Sequence, residues 1–245
     1  LKNKKVIIIE SFQPNPQDTL AEVILAAASA KDLGAKEVTL VAPYLGYMRQ
    51  DKRFKDGEAV SAIVFAGILG KLVDRIITID PHAHRIRDLG TIFHKPVTML
   101  TTNKIIAKYI KNNLDVDMIM GPDTESSQWA AKIASYIGIK STILKKIRLS
   151  SRKVKVKLMD NIDFHGKNVV IADDIISTGH TMIEAIKTVK KLGAKKVYCI
   201  AVHGLFVEGA ITKLKKAGAS KIITSNTIEN KLSKIDISKL IAEAL

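Results

Sequence analysis

The sequence predicts an α/β fold with two tandem domains, each a mainly parallel sheet flanked by helices. Short runs rich in β-branched residues alternate with segments of helical periodicity throughout the 245 residues. This alternation is typical of parallel sheets that are covered on both faces. Residues 31–38 (Lys-Asp-Leu-Gly-Ala-Lys-Glu-Val) recur at 190–197 as Lys-Lys-Leu-Gly-Ala-Lys-Lys-Val. The recurrence indicates an internal duplication, and therefore two domains of the same kind.

The predicted strands are short apolar runs, and the predicted helices carry apolar residues at helical spacing. The first half contains strand 6–9, helix 19–33, strand 38–42, helix 59–73 and strand 76–79. The second half contains strands at 118–120, 142–144, 169–172, 197–202 and 222–224, with helices at 126–137, 180–192 and 208–217. The change between the halves falls near 101–117. We expect one domain at 1–103 and the other at 104–245.

Composition narrows the classes of partner. Lys and Arg outnumber Asp and Glu by 39 to 24, giving a formal net charge of +15, which favours anionic partners: nucleic acid, phosphorylated small molecules or a membrane surface. The basic segment 140–159 has no interleaved aromatic residues, which disfavours nucleic-acid binding. The sequence contains neither an apolar run of about 18 residues nor a signal-peptide pattern. We therefore expect a cytoplasmic protein with no membrane partner. The single cysteine, Cys199, lies in an apolar run and is expected to be a buried small hydrophobe.

Two adjacent acids precede a loop of small and polar residues in the second half. Asp173 and Asp174 directly follow a predicted buried strand, and residues 177–181 (Ser-Thr-Gly-His-Thr) lead into the next helix. Backbone N–H groups in such a loop bind phosphate at a helix N-terminus, and carboxylates accept hydrogen bonds from vicinal hydroxyls. The segment therefore predicts a ribose 5-phosphate site. In the alternative, Thr178 or Thr181 is the N-cap of an ordinary helix and the acids are solvated.

The first half carries a different loop at the corresponding place. Residues 5–11 align with 168–174, so that Glu10 and Ser11 stand where the second half has its two acids. The residues that follow, 12–18, include two prolines, which remove backbone donors and stiffen the loop. We expect that only the second half kept a phosphate-binding loop.

The acidic pair and the Ser-Thr-Gly turn resemble the signature of proteins that bind phosphoribosyl diphosphate (PRPP). Further segments in chain order narrow the resemblance to the ribose-phosphate diphosphokinases, or PRPP synthetases, of archaeal type, and it extends over essentially the whole chain. Residues 43–51 are similar to the family's ATP-contacting segment, and residues 80–84 and 121–123 are similar to its two metal regions. Residues 145–148 are similar to its mobile catalytic loop, and residues 203–206 are similar to one of its strand ends. The resemblance implies two phosphoribosyltransferase-like domains.

The same resemblance implies an activity and its site residues. The activity is transfer of the diphosphoryl group of ATP to the anomeric hydroxyl of ribose 5-phosphate, giving PRPP and AMP. Mg²⁺ is the implied cofactor, with ATP as co-substrate. The implied residues are Lys146 and Arg148 for catalysis, Arg148, Asp173, Asp174, Ser177, Thr178, Gly179, His180 and Thr181 for ribose 5-phosphate, Arg49 and Gln50 for ATP, and His82 and Asp123 for the metal. Without the resemblance, Lys146 and Arg148 would fit a solvated basic hairpin equally well.

The sequence departs from the family pattern in three places. Glu125 is an acid where a diphosphate would bind, and His180 replaces a small residue of the phosphate loop. The chain also begins without Met at an interior part of the family, so the family's N-terminal strands and the loop that reaches adenine across a subunit interface are missing from it. It is either a partial chain or a truncated variant with an impaired ATP site. Residues 54–58 (Phe-Lys-Asp-Gly-Glu) are similar to that loop, but their position predicts a separate Asp-Gly turn.

Two alternatives to a PRPP synthetase remain open. One is a phosphoribosyltransferase that consumes PRPP. The other is a noncatalytic, PRPP-synthetase-like regulatory subunit, which Glu125, His180 and the missing N-terminal segment favour. The family resemblance implies a homo-oligomer with the ATP site at a subunit interface.

Overall fold

The computed structural model describes residues 1–83, 85–86, 88–148, 154–158 and 162–245, with 144–148 and 154–158 described by their backbone alone. The chain forms two compact units, the first made of Leu1–Thr101 with Ser238–Leu245 and the second of Thr102–Ile237. The return of the C-terminal segment to the first unit was not foreseen from the sequence. It is tied there by Arg75, whose Nη2 donates to the backbone oxygen of Ala244 at 3.0 Å.

The first unit is a parallel four-stranded sheet with strand order β1-β2-β3-β4. Its elements in chain order are β1 (Lys5–Ile9), α1 (Pro16–Asp32), β2 (Glu37–Ala42), α2 (Ser61–Leu72), β3 (Arg75–Ile79), α3 (Gly90–Phe93) and β4 (Val97–Leu100). The inner strands β2 and β3 are almost entirely buried, whereas residues of β1 alternate between exposed and half-buried. This difference follows from the position of β1 at the edge of the sheet.

The second unit is a seven-stranded sheet with strand order β11-β10-β9-β8-β5-β6-β7. Its elements are α4 (Asn103–Asn113), β5 (Met118–Gly121), α5 (Ser127–Ile137), β6 (Lys140–Arg148), β7 (Val154–Leu158), β8 (Asn168–Ile176), α6 (His180–Lys191), β9 (Lys196–Gly204), a 3₁₀ turn (Val207–Gly209), α7 (Ala210–Ala217), β10 (Lys221–Ser225) and β11 (Ser233–Ile235); α8 (Ser238–Ala242) follows in the first unit. All described pairs are parallel except β6 with β7.

The predicted fold class is confirmed, since two mainly parallel sheets are flanked by helices. The five elements predicted in the first half are present, but α3, β4 and α4 were missed because they are short or mix polar and apolar residues. Cys199 is buried as predicted, and this burial raises the pKa of its thiol to about 12. In the described part of the chain, no helix has the length and apolarity needed to span a membrane.

The strand pairing of the two units supports the internal duplication. In the first unit Lys5 pairs with Glu37 and Val6 with Val38. The aligned residues pair in the same register in the second unit, because Asn168 faces Lys196 and Val169 faces Val197. The turns before the second strand also match: Lys36 N–H donates to Lys4 O, and Lys195 N–H donates to Lys167 O, both at 2.8 Å. Such agreement in register extends well beyond the similar Leu-Gly-Ala-Lys segments.

The end of one predicted strand was wrong. We expected a strand at 169–172 with both acids after it, but β8 continues to Ile176. Asp173 and Asp174 therefore lie within the strand, where Asp173 is opposite Ala201 and Ile175 opposite His203 of β9. The polar pair hid the strand in the sequence, because carboxylates are uncommon in strands.

Candidate active site

Three acids meet at the carboxyl edge of the second sheet. β5 and β8 are parallel neighbours, with Met120 opposite Ile171, so the residues that follow Met120 lie near Asp173 and Asp174. Asp123 is close enough for its negative charge to raise the pKa of Asp173. The carboxyl edge of a parallel sheet is where α/β proteins bind ligands.

The electrostatics of this edge favour a ligand that supplies hydrogen-bond donors or positive charge. Burial raises the pKa of Asp173 well above its ordinary value, and the charges of Asp174 and Asp123 raise it further. The backbone N–H of Asp174 donates to Asp173 Oδ1 at 3.1 Å and partly opposes this shift. Sugar hydroxyls or a cation would stabilise the ionised carboxylates in this setting.

The loop after β8 presents the N-terminus of α6. Gly179 is the residue before the helix and has a φ of +75°, a conformation that residues with a Cβ rarely adopt. Within the described part of the chain, no side chain caps this helix. The alternative in which Thr178 or Thr181 is the N-cap is therefore wrong. The first N–H groups of α6 are left for another acceptor, as in phosphate-binding loops.

The remaining loop residues differ in exposure. Ser177, Thr178 and Thr181 are half-buried, whereas the side chain of His180, the first residue of α6, is exposed. Glu125, the other departure from the family pattern, is also exposed, in the loop before α5. Neither residue is packed into the interior of the unit.

Asp123 is held by a serine that the sequence analysis did not single out. Ser126 N–H donates to Asp123 Oδ1 at 3.1 Å, and Asp123 N–H donates to Ser126 Oγ at 3.3 Å. Gly121 makes room for this turn, because a Cβ at Gly121 would lie 2.8 Å from Ser126 Oγ. An Asp three residues before a Ser at a helix start would have been the sequence pattern to look for.

The two predicted ATP residues and the predicted metal residue His82 lie on loops of the first unit. Arg49 is exposed and Gln50 is half-buried in the loop after β2, and His82 is half-buried in the loop after β3. Since β2 and β3 are parallel neighbours, both loops leave the same edge of their sheet. Arg85, which no motif indicated, contacts Asp51 and so joins these two loops. His84 lies outside the described residues.

The predicted catalytic residues lie on β6. Lys146 is opposite Val156 and Arg148 is opposite Val154 in the antiparallel pair with β7. The side chains of Lys146 and Arg148 lie outside the described part of the structure. The backbone pairing fits both a catalytic segment and a solvated basic hairpin.

The acids at the sheet edge fit Mg²⁺ by their chemistry. Within the described residues, no group of three or more His, Cys, Asp or Glu side chains has an arrangement that would by itself hold a metal. Mg²⁺ is usually bound by one or two carboxylates together with substrate phosphates, and not by a cage of protein ligands. The raised pKa of Asp173, caused by burial and by the two neighbouring acids, identifies a place where a cation would be stabilising.

The segment near 203–206 is held by a buried polar cluster. His203 Nδ1 lies 2.9 Å from Thr227 Oγ1, and Ser225 Oγ donates to the backbone oxygen of Val202 at 2.7 Å. Both interactions are buried, so this cluster fixes the end of β9 beside β8.

Family models and relatives match nearly the whole chain. Residues 1–72 match the N-terminal domain of ribose phosphate pyrophosphokinase, and residues 89–238 match the phosphoribosyl transferase domain. The ribose-phosphate pyrophosphokinase of Methanobrevibacter smithii is 36% identical over 253 residues, covering 98% of this chain and 84% of the relative. That of Pyrococcus abyssi is 35% identical, covering 96% of this chain and 81% of the relative.

A solved structure supports the same assignment. Phosphoribosylpyrophosphate synthetase from Mycobacterium smegmatis superposes with a TM-score of 0.85 at 27% sequence identity, covering 99% of this chain and 82% of that one. The two family models and the archaeal relatives together show that this chain belongs to the ribose-phosphate pyrophosphokinase family, as its motifs predicted.

Proposed function

We propose that this chain transfers the diphosphoryl group of ATP to the anomeric hydroxyl of ribose 5-phosphate, giving PRPP and AMP. The observation that carries the proposal is the uncapped N-terminus of α6 beside Asp173 and Asp174. Backbone N–H donors for a phosphate and carboxylate acceptors for a diol, at this spacing, fit ribose 5-phosphate. The ATP dependence agrees with the names of the curated relatives.

The second unit supplies the ribose 5-phosphate site in this proposal. The N–H groups of residues 177–181 and the side chains of Ser177, Thr178, His180 and Thr181 hold the 5-phosphate. Gly179 keeps the loop in its left-handed conformation. Asp173 and Asp174 accept hydrogen bonds from the ribose hydroxyls, and Arg148 binds the substrate from β6. The sugar is thereby oriented with its anomeric hydroxyl toward ATP.

The transfer replaces one phosphorus–oxygen bond with another. The anomeric oxygen forms a bond to the β-phosphorus of ATP, the bond from that phosphorus to the α-phosphate oxygen breaks, and AMP leaves with the released electron pair. The hydroxyl proton passes to solvent. Positioning and neutralisation of charge account for most of the catalysis in such reactions. Lys146 and Arg148 supply fixed positive charge to the transferred group.

ATP and its metal are assigned to further residues. Arg49 binds phosphate through its guanidinium and Gln50 binds through its amide. Asp123, whose carboxylate is oriented by Ser126, would hold Mg²⁺ in the second unit, and His82 would hold Mg²⁺ at a separate place in the first unit. Mg²⁺, when bound, neutralises the charge of the ATP phosphates. We further propose a cytoplasmic homo-oligomer with the ATP site at a subunit interface.

Product analysis of the full chain tests the proposal. With ATP, ribose 5-phosphate and Mg²⁺, we expect AMP and PRPP in equal amounts. Lys146→Ala should reduce the rate by about 100-fold or more, as expected for removal of a transition-state charge partner. Lys145→Ala, a change at the adjacent lysine of β6, is the matched control and should retain activity. Absence of AMP from the parent, or equal rates for both variants, would overturn the catalytic assignment.

The same preparation separates the two alternatives. Diphosphate release from PRPP that depends on an added nucleobase would identify a phosphoribosyltransferase. Tight binding of ribose 5-phosphate by calorimetry without turnover would identify a noncatalytic subunit, which the exposed Glu125 and His180 would then help to explain.

A further inference from the structure

An ion pair with a buried carboxylate joins the loop after β2 to the loop after β3. Arg85 Nη1 lies 2.9 Å from Asp51 Oδ1, and the backbone N–H of Arg85 donates to Asp51 Oδ2 at 3.1 Å. Both oxygens of the carboxylate are therefore occupied by one residue of the other loop. The Asp51 side chain is 2% exposed, whereas that of Arg85 is 43% exposed.

Among the ion pairs described for the first unit, this one is distinguished by the burial of its carboxylate. A buried carboxylate is costly unless it is paired and hydrogen-bonded. Exposed pairs contribute little, and Lys5 with Glu37 is such a pair, because the Lys5 side chain is 70% exposed. Asp51 is thus fixed from the inside of the loop and is not placed to meet a ligand from solvent.

The segment around Asp51 alternates between buried anchors and accessible residues. Met48 and Asp51 are buried, whereas Arg49 is exposed and Gln50 is half-buried. The first turn of α2 holds the segment as well, since Ala62 N–H donates to the backbone oxygen of Gln50 at 3.3 Å. Arg49 and Gln50 are therefore presented between two anchors, one of which is the pair with Arg85.

Both joined loops contain a residue in an uncommon backbone conformation. Tyr47 has a φ of +63° and Asp80 a φ of +36°. Such conformations persist where the surrounding contacts hold them. Ser61 Oγ donates to Tyr47 O at 3.0 Å, and Asp80 N–H donates to Leu100 O at 2.9 Å. The loops thus have defined shapes, and the Asp51–Arg85 pair sets one relative to the other.

We infer that Asp51 and Arg85 form a positioning pair that fixes Arg49 and Gln50 relative to the His82 loop, and thereby sets the affinity for ATP. The inference rests on the proposed role of Arg49 and Gln50 in binding ATP. Neither Asp51 nor Arg85 is given a chemical step. Loss of the pair should affect ATP far more than ribose 5-phosphate, because the ribose 5-phosphate residues belong to the other unit.

Three variants of the full chain separate positioning from stability. Arg85→Met leaves a buried carboxylate without its guanidinium partner, so it should lower the melting temperature most. Asp51→Asn removes the charge, and the double variant Asp51→Asn/Arg85→Met leaves no buried charge to destabilise the fold. We expect all three to raise the KM for ATP, and its Kd by calorimetry, about tenfold. The KM for ribose 5-phosphate should stay within about twofold of the parent value.

The decisive comparison is between Arg85→Met and the double variant. The double variant should recover melting temperature and yet keep the raised KM for ATP; recovery of both together would show a purely structural pair and overturn the inference. Lys5→Met, which breaks an exposed pair in the same unit, should change neither quantity. If the parent makes no PRPP, the proposed function fails, but ATP calorimetry still tests the pair. A parent that binds no ATP, or variants with the parent's ATP affinity, would overturn the positioning role.

Discussion

Two loops follow strands that pair in the same register but differ in their residues. One connects β1 to α1, and the other connects β8 to α6. After β1 the chain runs through Glu10 and Ser11 to a proline-containing loop, and α1 begins at Pro16. After the acidic pair of β8 the chain runs through Ser177 and Thr178 to Gly179, and α6 begins at the next residue. The shared strands therefore fix where a site could form, and the loop decides whether it does.

Packing argues against a phosphate site in the first loop. Phe12 is completely buried, and its ring lies 5.0 Å from that of Phe65 in an edge-to-face arrangement. Its Cβ would be 2.9 Å from a Cβ added at Gly46. The space after the first strand is thus filled by an aromatic side chain that stabilises the fold.

The neighbouring strand adds to the site in the second unit. β8 lies between β9 and β5, and β5 leads to Asp123. The acids at this edge therefore come from two parallel strands.

Substitution of Phe12 should produce the largest effect and should be confined to stability. We expect Phe12→Ala to lower the free energy of unfolding by about 3–5 kcal/mol, because it leaves a cavity against Phe65. Phe12→Leu, which keeps most of the volume, should cost about 1 kcal/mol. Urea unfolding measures both. Loss of ribose 5-phosphate affinity in folded Phe12→Ala would mean that the first loop takes part in binding.

Replacing an acid at the end of the aligned strands should lower activity when the acid lies in the second unit, but not when it lies in the first. Asp174→Asn should lower kcat/KM for ribose 5-phosphate about 100-fold, equivalent to about 2.7 kcal/mol, because two hydrogen bonds to a charged acceptor are weakened. Glu10→Gln changes an acid at the end of the aligned strand and is expected to stay within about twofold of the parent. Steady-state kinetics at saturating ATP measures both. Equal losses would contradict the assignment of the ribose site to the second unit.

Alanine substitutions at two glycines with similar backbone conformations separate the effect of backbone strain from the effect on ligand binding. Gly179 has a φ of +75° and Gly138 a φ of +72° at the end of α5, so alanine at either should cost about 1 kcal/mol of stability. A Cβ at Gly179 would also meet Leu214 at 3.6 Å, whereas one at Gly138 would meet open space. We expect Gly179→Ala to weaken ribose 5-phosphate binding about tenfold and Gly138→Ala to leave it unchanged. Calorimetry measures both affinities for ribose 5-phosphate. Equal affinities of the two variants would contradict the role of the loop after β8 in phosphate binding.

The sequence was most informative where local pattern and packing agree. Apolar runs such as 38–42 and 76–79 specified buried parallel strands, and the recurrence at 190–197 indicated the duplication. The structure, and not the sequence, brought Asp123 together with Asp173, since the strands that precede them proved to be parallel neighbours. Long-range polar pairs could not be predicted, because Asp51 and Arg85 are 34 residues apart and neither stands in a pattern that names the other.

The extent of β8 was mispredicted for a related reason. Asp173 and Asp174 are poor strand residues, and the partner that keeps them in the sheet is β9, which lies far along the chain. Tertiary pairing thus overrides local propensity at the site itself. Ser126 was missed because its role depends on the turn that brings it to Asp123.

The smallest predicted effect tests the electrostatic cost of the acids. Asp173→Asn should raise the melting temperature at neutral pH while lowering turnover, because it removes a carboxylate whose pKa is raised by burial and by Asp174 and Asp123. A chain of this size gains about 2–4 °C in melting temperature per kcal/mol. Glu10→Gln, in the first unit, should show no such gain. Thermal melts of both variants without substrates measure the difference.

The stability gained by Asp173→Asn should depend on pH in a defined direction. The pKa of Asp173 is raised in the folded state, whereas in the unfolded chain it has its ordinary value of 3.8. At a pH between these two pKa values, Asp173 keeps its proton in the folded state and has lost it in the unfolded state. Between these two pKa values the folded state binds more protons, so the stability of the parent falls as pH rises and levels off above the folded pKa. The advantage of Asp173→Asn should therefore be small near pH 4, grow through this window and then remain constant. An advantage that shrank with rising pH would mean that Asp173 is stabilised as a carboxylate by its surroundings, and the contrast with Glu10 would lose its electrostatic basis.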